Sequence, residues 1–129
     1  MRTIKHFEVE TPKIIGVLCD RRIPKGLLRR LNRILAKQHS SFVCLPFRVE
    51  PKYLKNVIAC MQLIDIHGLI ITGDHTKRIG RFMTHIDKSA KKTGLVNVIV
   101  KRKKRFVGLL IEQSPQFYAE IVRLLTSGK

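Results

Sequence analysis

Acidic and aromatic residues are both scarce in this sequence of 129 residues. Nine Asp and Glu residues stand against 26 Lys and Arg residues, which gives a formal net charge of +17. An excess of this size favours solubility and attraction to polyanions or small anions, although it carries no information about the fold. With no tryptophan, two tyrosines and six phenylalanines, the sequence shows no recognisable platform on which nucleic-acid bases would stack.

Cysteines are few, and their spacing follows no pairing pattern. Cys19, Cys44 and Cys60 are odd in number, lie far apart and stand inside apolar runs, and no two have C-x-x-C spacing. This pattern supports neither a zinc site nor a redox motif, and it predicts three reduced cysteines packed as small hydrophobic residues. Reduced cysteines in turn favour a reducing compartment.

Long apolar runs are missing as well. No N-terminal run has the length of a signal peptide, and no stretch approaches the roughly 18 apolar residues that span a bilayer. Hydrophobic residues still make up 44% of the sequence, which is enough to form a core. We therefore expect one soluble, cytoplasmic domain over residues 1–129, without membrane contact.

The usual signatures of cofactor and metal binding do not occur. Neither G-x-G-x-x-G nor G-x-x-x-x-G-K-[ST] follows a strand, so we predict no cofactor in this chain and no self-contained nucleotide-dependent enzyme. Asp74, His75 and His85 come nearest to a metal-ligand set, but the two histidines lack a usual ligand spacing, and we predict no metal site. No serine or cysteine nucleophile stands in a recognisable catalytic pattern.

Apolar runs of strand length recur along the chain. They are residues 13–20, 40–50, 68–71, 95–100 and 106–112. Near-continuous apolar runs are typical of strands covered on both faces. Pro46 interrupts the second run, which indicates an edge strand or a bulge. The chain before the first run, residues 1–12, is interpreted as a short arm or edge strand.

Helical spacing of apolar residues separates these strands. The first predicted helix starts after Pro24. Three more helices are predicted over residues 51–66, about 76–92 and 114–125, and a serine and a proline open the last of them. KRKKR at 101–105 connects the last two strands as a hairpin. Alternation of this kind predicts an α/β fold: a three-layer α/β/α sandwich with a mostly parallel sheet and one antiparallel hairpin.

The stretch GLIITGDHTKRIG at 68–80 begins as a buried strand and ends in polar and charged residues. In an open α/β sheet, ligands bind at the carboxyl ends of the strands. The polar cluster from Thr72 to Lys77 is therefore the leading candidate for a binding site, with helix capping as its plain alternative.

Four short motifs follow one another in a recognisable order: IIGVLCDRRIPKGLL, LIITGDHTK, GLVNVIV and VGLLIE. In this order and spacing the chain resembles the N-terminal substrate-binding domain of shikimate dehydrogenase, from Lys13 to about Leu125. In that family the corresponding motifs are G-x-P-x-x-H-S-x-S-P, N-V-T-x-P-H-K, G-A-V-N-T and G-x-N-T-D. The resemblance implies a substrate pocket that faces a separate NADP-binding Rossmann domain.

The resemblance implies substrate contacts at four positions. Thr72, His75 and Asn97 match the family's polar residues, while the two serines that hold the substrate carboxylate correspond to Lys25 and Leu27. Lys25 would then replace hydroxyl donors by a charge. The implied substrate-binding set is Lys25, Thr72, His75 and Asn97.

The catalytic pair of the family matches less well. The catalytic lysine corresponds to Thr76, with Lys77 one place further on, and the catalytic aspartate corresponds to Glu112. We therefore take Lys77 and Glu112 as the catalytic candidates and leave open whether the chain is an enzyme. The resemblance favours a stand-alone, degenerate domain, a pseudoenzyme that binds a small anionic or carboxylated ligand or a partner chain. Alternatively, a separate Rossmann chain carrying NADP, or a second copy of this chain, completes a shikimate dehydrogenase.

A third hypothesis rests on the charge alone. Two groups of cations are the candidate polyanion-binding residues: Arg29, Arg33 and Lys37 on the first helix, and Lys101, Arg102, Lys103, Lys104 and Arg105 in the hairpin. Each phosphate that such a residue neutralises releases a counterion, which predicts weak, sequence-independent binding of nucleic acid at low salt. The alternatives are a solvated helix face and a solvated turn.

Overall fold

A computed structural model describes residues 11–127 of the chain. Apart from Thr11 and Pro12, the predicted N-terminal arm or edge strand lies outside the described residues. The strands are β1 (Lys13–Cys19), β2 (Phe42–Arg48), β3 (Ile66–Ile71), β4 (His85–Ile86), β5 (Val98–Arg102) and β6 (Arg105–Leu109). The α-helices are α1 (Leu27–Lys37), α2 (Val57–Leu63), α3 (His75–Arg78), α4 (Lys88–Lys91) and α5 (Phe117–Thr126). Two 3-10 helices occupy Pro51–Asn56 and Ile79–Phe82.

The six strands form a single sheet in the order β2-β1-β3-β5-β6-β4. Strands β1, β2 and β3 pair in parallel, as do β4 and β6, whereas β5 runs antiparallel to both of its neighbours. The predicted α/β fold, a mostly parallel sheet with an antiparallel hairpin, is confirmed. The reversed direction of β5 places its first residues at the same edge of the sheet as the carboxyl ends of β1 and β3.

Helices cover both faces of the sheet. On one face α1 and α5 pack their apolar sides on β1, β5 and β6, through residues such as Leu31, Leu35 and Ile121. On the other face, the segments between β2 and β5 pack Leu54, Met61 and their neighbours against the sheet. Both layers follow from the spacing of the apolar residues, since each helix buries one stripe.

One edge strand of the sheet is β2, as Pro46 indicated, and the other is β4. Val49 N–H donates to the Cys19 carbonyl of β1, so alternation along the strand turns the backbone groups of Phe42, Cys44 and Pro46 away from β1. Their outward N–H groups are accounted for. Asn32 of α1 bonds both backbone groups of Cys44, accepting from its N–H at 2.9 Å and donating to its carbonyl at 3.3 Å. The Ser40 hydroxyl accepts from Phe42 N–H at 3.1 Å, and proline has no N–H.

The helix predicted over residues 76–92 is wrong as a single element. It divides into α3, the 3-10 helix Ile79–Phe82, the edge strand β4 and α4. Two local causes interrupt it. His85 and Ile86 pair with β6, so their backbone groups make sheet rather than helical hydrogen bonds. The Asp87 carboxylate then accepts a hydrogen bond from Ser89 N–H and caps the start of a separate helix, α4.

Smaller corrections concern the ends of other elements. The predicted helix over 51–66 is a 3-10 helix followed by α2, and the chain enters β3 at Ile66 after Asp65 adopts a left-handed φ of 39°. The last predicted helix begins only at Phe117, because residues 114–116 form a turn in which Ser114 accepts backbone N–H groups. The strand predicted at 95–100 starts and ends later, as β5 (Val98–Arg102), and the strand predicted at 106–112 starts and ends earlier, as β6 (Arg105–Leu109). The hairpin turn is therefore reduced to Lys103 and Lys104.

The three cysteines are free, but they do not share one environment. Cys19 and Cys44 are buried, and burial raises the pKa of the Cys44 thiol to about 11. Cys60 is exposed on α2, so the prediction that all three pack in the core is wrong for this residue. No helix between residues 11 and 127 is both long enough and apolar enough to cross a bilayer.

Candidate functional site

A cleft of about 440 Å³ opens at the carboxyl ends of β1 and β3, on the face covered by α1 and α5. Four connections meet there: the loops after β1, β3 and β6, and the segment that leads into β5. The cleft is lined by Pro24, Leu27, Ile70, Ile71, Thr72, Gly73, Thr76, Leu95, Asn97, Leu110, Gln113, Phe117 and Tyr118. The polar cluster at the end of β3 thus lies where an open α/β sheet binds ligands.

Thr72 connects the ends of β1 and β3. Its hydroxyl donates to the Leu18 carbonyl at 2.8 Å, and its backbone N–H donates to the same carbonyl at 3.0 Å. Thr72 is 9% exposed, and because its hydroxyl proton is used in the bond to Leu18, the oxygen keeps acceptor capacity but no free proton. Thr72 can therefore accept a hydrogen bond from a ligand hydroxyl.

Asn97 holds the loop that follows β6. Its amide oxygen accepts from Ile111 N–H and its amide nitrogen donates to the Ile111 carbonyl, both at 2.8 Å. One amide proton and one lone pair remain for a ligand. Asn97 therefore does two things at once, since it fixes the wall formed by Leu110 and Gln113 and lines the cleft itself.

The two residues at the position of the family's lysine differ in direction. Thr76 lines the cleft and its hydroxyl donates to the Gly73 carbonyl at 2.8 Å. The Lys77 ammonium lies 3.7 Å from the Asp74 carboxylate, its side chain is 71% exposed, and it is absent from the lining. A shift of one residue at the start of α3 thus directs the Lys77 side chain into solvent, and its predicted catalytic role stays a prediction.

His75 is fully buried and also lies outside the lining. Its Nε2 is 2.7 Å from the Val49 carbonyl, while Nδ1 is buried without a hydrogen-bond partner among the described residues. The predicted contact between His75 and a ligand stays a prediction. The ring ties the start of α3 to the chain that leaves β2.

Lys25 and Glu112 are exposed, and neither lines the cleft. Lys25 follows the lining residue Pro24, and Glu112 precedes the lining residue Gln113, so both stand on loops that border the opening. Their predicted roles in binding and catalysis stay predictions. Asp74, His75 and His85 do not come together, and between residues 11 and 127 no group of three His, Cys, Asp or Glu side chains could hold a metal ion.

Sequence reasoning missed Gln113 and Tyr118, which line the cleft from the loop after β6 and from α5. Gln113 is exposed, and Tyr118 carries the guanidinium of Arg30 over its ring, 5.2 Å from the centroid. Neither belongs to a motif with a recognisable spacing. Only the helical register of α5 indicated that Tyr118 follows the buried Phe117 on the inner side.

The candidate polyanion-binding cations are not gathered at the cleft. Arg29, Arg33 and Lys37 are exposed on the outer side of α1. Residues 101–105 are exposed at the end of the sheet opposite the cleft, where the parallel strands begin. The antiparallel strand β5 starts beside the cleft and ends at this hairpin. The structure thus separates a cleft with neutral lining groups from two outlying basic surfaces.

Comparisons with known proteins agree with this geometry. Half of the sequence resembles curated shikimate dehydrogenases that use NADP(+): 36% identity over 62 residues, 48% of this chain, with that of Geobacillus sp. strain WCH70. The enzyme of Methanosphaera stadtmanae is 40% identical over 68 residues, 53% of this chain. This chain is shikimate dehydrogenase-like. It spans only 22% and 24% of the length of these two relatives.

Solved structures extend the likeness of this shikimate dehydrogenase-like domain to most of the chain. A shikimate dehydrogenase in complex with NADP+ superposes with a TM-score of 0.72 at 26% identity, covering 76% of this chain and 34% of that one. The Listeria monocytogenes shikimate 5-dehydrogenase in complex with shikimate and NAD gives a TM-score of 0.72 at 20% identity, covering 83% and 37%. No protein-family model matches the chain.

Proposed function

We propose that this chain binds a small carboxylated, hydroxyl-bearing ligand in the cleft and does not oxidise it alone. The observation that carries the proposal is the meeting of Thr72, Thr76 and Asn97 in one cleft, at the ligand-binding edge of a shikimate dehydrogenase-like sheet. Each retains hydrogen-bonding capacity beyond its internal bonds, and such neutral groups suit ligand hydroxyls.

The charges around the opening support an anionic ligand. Among residues 11–127 no charged side chain lines the cleft, so a carboxylate would reach cations of this part of the chain only at the rim. The loop after β1 supplies Arg21, Arg22 and Lys25, all exposed, next to the lining residue Pro24. A cation at the rim keeps its hydration until the ligand arrives, which favours modest affinity and fast association.

The absence of independent catalysis is supported by the position of the lysines. Thr76 occupies the place of the family's lysine in the lining, and a threonine hydroxyl that donates to Gly73 cannot act as the acid-base group. Oxidation of an alcohol also requires a hydride acceptor. No described strand is followed by a glycine-rich loop, so the residues of this domain do not fit NADP, and another domain or chain would have to hold it.

Calorimetric titration of the full chain with shikimate, quinate and dehydroshikimate tests the binding. We expect heat with at least one of them at millimolar concentration. The Lys25→Ser variant should weaken binding roughly threefold to tenfold, since it removes a cation beside the opening, whereas Lys77→Ser should leave affinity unchanged. Absence of heat with all three ligands, or equal effects of the two variants, would contradict the proposal.

A second candidate function keeps the chemistry but divides it between chains. The observation in its favour is that this chain spans about a quarter of the length of its curated relatives, so a partner chain would supply the cofactor-binding part. Mixing the chain with a purified NADP-binding domain and following NADPH formation from shikimate tests it. Activity should appear or rise with Thr76→Lys; no activity with either form contradicts this candidate while leaving ligand binding intact.

A further inference from the structure

The β5–β6 hairpin lies at the sheet edge opposite the cleft and carries five consecutive exposed cations, Lys101 to Arg105. Among residues 11–127, Lys101 alone of these makes an ion pair, at 3.9 Å from the Asp65 carboxylate. The other four cations meet no acidic side chain within ion-pair distance in the part of the chain that is described. Unpaired cations on a protruding turn are available to an external anion.

The local structure of the hairpin is unfavourable for folding. Arg102 and Arg105 stand directly opposite each other, and like charges in that position destabilise a strand pair. Lys103 adopts a left-handed φ of 57°, which two-residue turns normally assign to Asn, Asp or Gly. Local choices that work against the fold are typical of functional surfaces rather than structural turns.

A small recess of about 150 Å³ adjoins the hairpin on the face of α2. Phe82, which is 38% exposed, lines it together with Lys104 and Arg105. Gln62, Thr84 and His85 supply hydrogen-bonding side chains. The recess therefore combines an aromatic ring, hydrogen-bonding side chains and two cations in one small space.

We propose that the hairpin and this recess bind single-stranded nucleic acid, with a base against Phe82 and the adjoining phosphates on Lys104 and Arg105. The combination of an accessible ring and backbone cations is what sequence-tolerant single-strand binding uses. A duplex keeps its bases stacked inside, so it could use the cations but not the recess. The outer side of α1 carries a similar number of cations, but no recess adjoins Arg29 or Arg33 among the described cavities.

Fluorescence anisotropy with labelled 12-nucleotide RNA and DNA, single-stranded or annealed, tests the proposal over a salt series. We expect the full chain to bind the single strands more tightly than the duplex. The double variant Lys104→Ser/Arg105→Ser should weaken binding at least tenfold at low salt. It should also reduce the salt slope by roughly 1.4, since each lost phosphate contact on a single strand contributes about 0.7.

Three matched variants separate this site from a general effect of charge. Arg29→Ser/Arg33→Ser removes the same number of cations from α1 and should change affinity less than threefold. Phe82→Ala should weaken single-strand binding roughly tenfold, within the range for one stacked base, and Phe82→Leu should fall short of wild type by nearly as much, because it fills the space without a ring. Circular dichroism and thermal unfolding check that each variant is folded.

Each other outcome overturns the proposal. Equal weakening by the two double variants would show that binding depends only on the net charge. Duplex binding as tight as single-strand binding would show that no base enters the recess. Heparin fragments of matched charge that bind as tightly as the oligonucleotides would make the hairpin a general polyanion surface. Wild-type affinity in both Phe82 variants would show that the ring is not used.

Discussion

The cleft and the hairpin lie at opposite ends of the strands, and they differ in how many partners their polar side chains have within the protein. At the cleft, Thr72, Thr76 and Asn97 each make internal hydrogen bonds of 2.8 Å. At the hairpin, five exposed cations share one ion pair of 3.9 Å among the described residues. The polar groups of the cleft therefore contribute to the fold and to the site together, whereas those of the hairpin contribute little to the fold.

This difference predicts that Thr72 and Asn97 of the cleft cannot be replaced without a loss of stability, while the cations of the hairpin can. Internal hydrogen bonds preorganise a small-molecule site by fixing its walls before the ligand arrives. Exposed cations need no such support, because a flexible polyanion adapts to them. Variants at the two edges test this contrast, from the largest expected effect to the smallest.

Replacing Asn97 by leucine should have the largest effect. The substitution leaves the N–H and carbonyl of Ile111 without their partners, and each unpaired group in a partly buried position costs about 1–3 kcal/mol. We expect the free energy of unfolding in urea to fall by about 2–4 kcal/mol. Gln113→Leu makes the same amide-to-leucine change on an exposed residue of the same cleft and should be nearly neutral; equal losses would contradict the role given to Asn97.

Replacing Thr72 by valine should cost less. The side-chain bond to Leu18 is lost, but the backbone N–H of residue 72 still donates to the same carbonyl, so no buried acceptor is left alone. We expect a loss of about 1 kcal/mol in the free energy of unfolding. Thr76→Val removes an exposed hydroxyl bond and should cost clearly less, as urea denaturation of both variants would show.

At the hairpin, replacing Lys103 by glycine should stabilise the protein. Glycine adopts the φ of 57° observed there without the steric cost that an L-residue incurs. The gain, set against the greater freedom of glycine in the unfolded chain, is about 0.5 kcal/mol. Lys104→Gly removes the same charge where no positive φ occurs and should be neutral or destabilising. A loss of stability in both variants would show that the turn is not strained.

The smallest effect is a pH dependence beside the hairpin. The backbone N–H of Ser89, hydrogen-bonded to the Asp87 carboxylate, lowers the pKa of that carboxyl below 3.8, with a lesser contribution from Arg102. The pKa of Asp87 is lower in the folded state than in the unfolded state. The ionised carboxylate therefore stabilises the fold at pH values above the unfolded-state pKa, and this stabilisation is lost as the pH falls through the folded-state pKa. The midpoint temperature of thermal unfolding should fall less steeply from pH 6 to pH 3 for Asp87→Asn than for wild type. Arg102→Ser should retain most of the wild-type slope.

Much of the fold could be predicted from single residues and their spacing. The run from Lys13 to Cys19 is apolar because both faces of β1 are covered, and Pro46 marks β2 as the edge. The helix expected over 76–92 failed because Ile86 packs in the second core from an edge strand as well as it would from a helix. Helical periodicity does not record which backbone pairing supplies the hydrogen bonds.

The candidate site was less accessible to sequence reasoning. Thr72 and Asn97 follow and precede apolar strands, so their place at the cleft was predictable from the topology and the resemblance. The directions of His75 and Lys77 depend on where α3 begins, and one residue of shift at a helix start turns a side chain by about 100°. Phe82 lies beside Lys104 and Arg105 only through tertiary packing, since 22 positions separate residues 82 and 104.

The edge strand β2 has a consequence for the protein at high concentration. An exposed sheet edge is a template on which a strand of another molecule can pair, and this is a common route to aggregation. Here the outward N–H groups of Phe42 and Cys44 are already bonded to Ser40 and Asn32, and Pro46 has none to offer. Residues 42–46 of β2 therefore offer no free outward N–H group to a strand of another copy, and the repulsion expected from a net charge of +17 acts in the same direction.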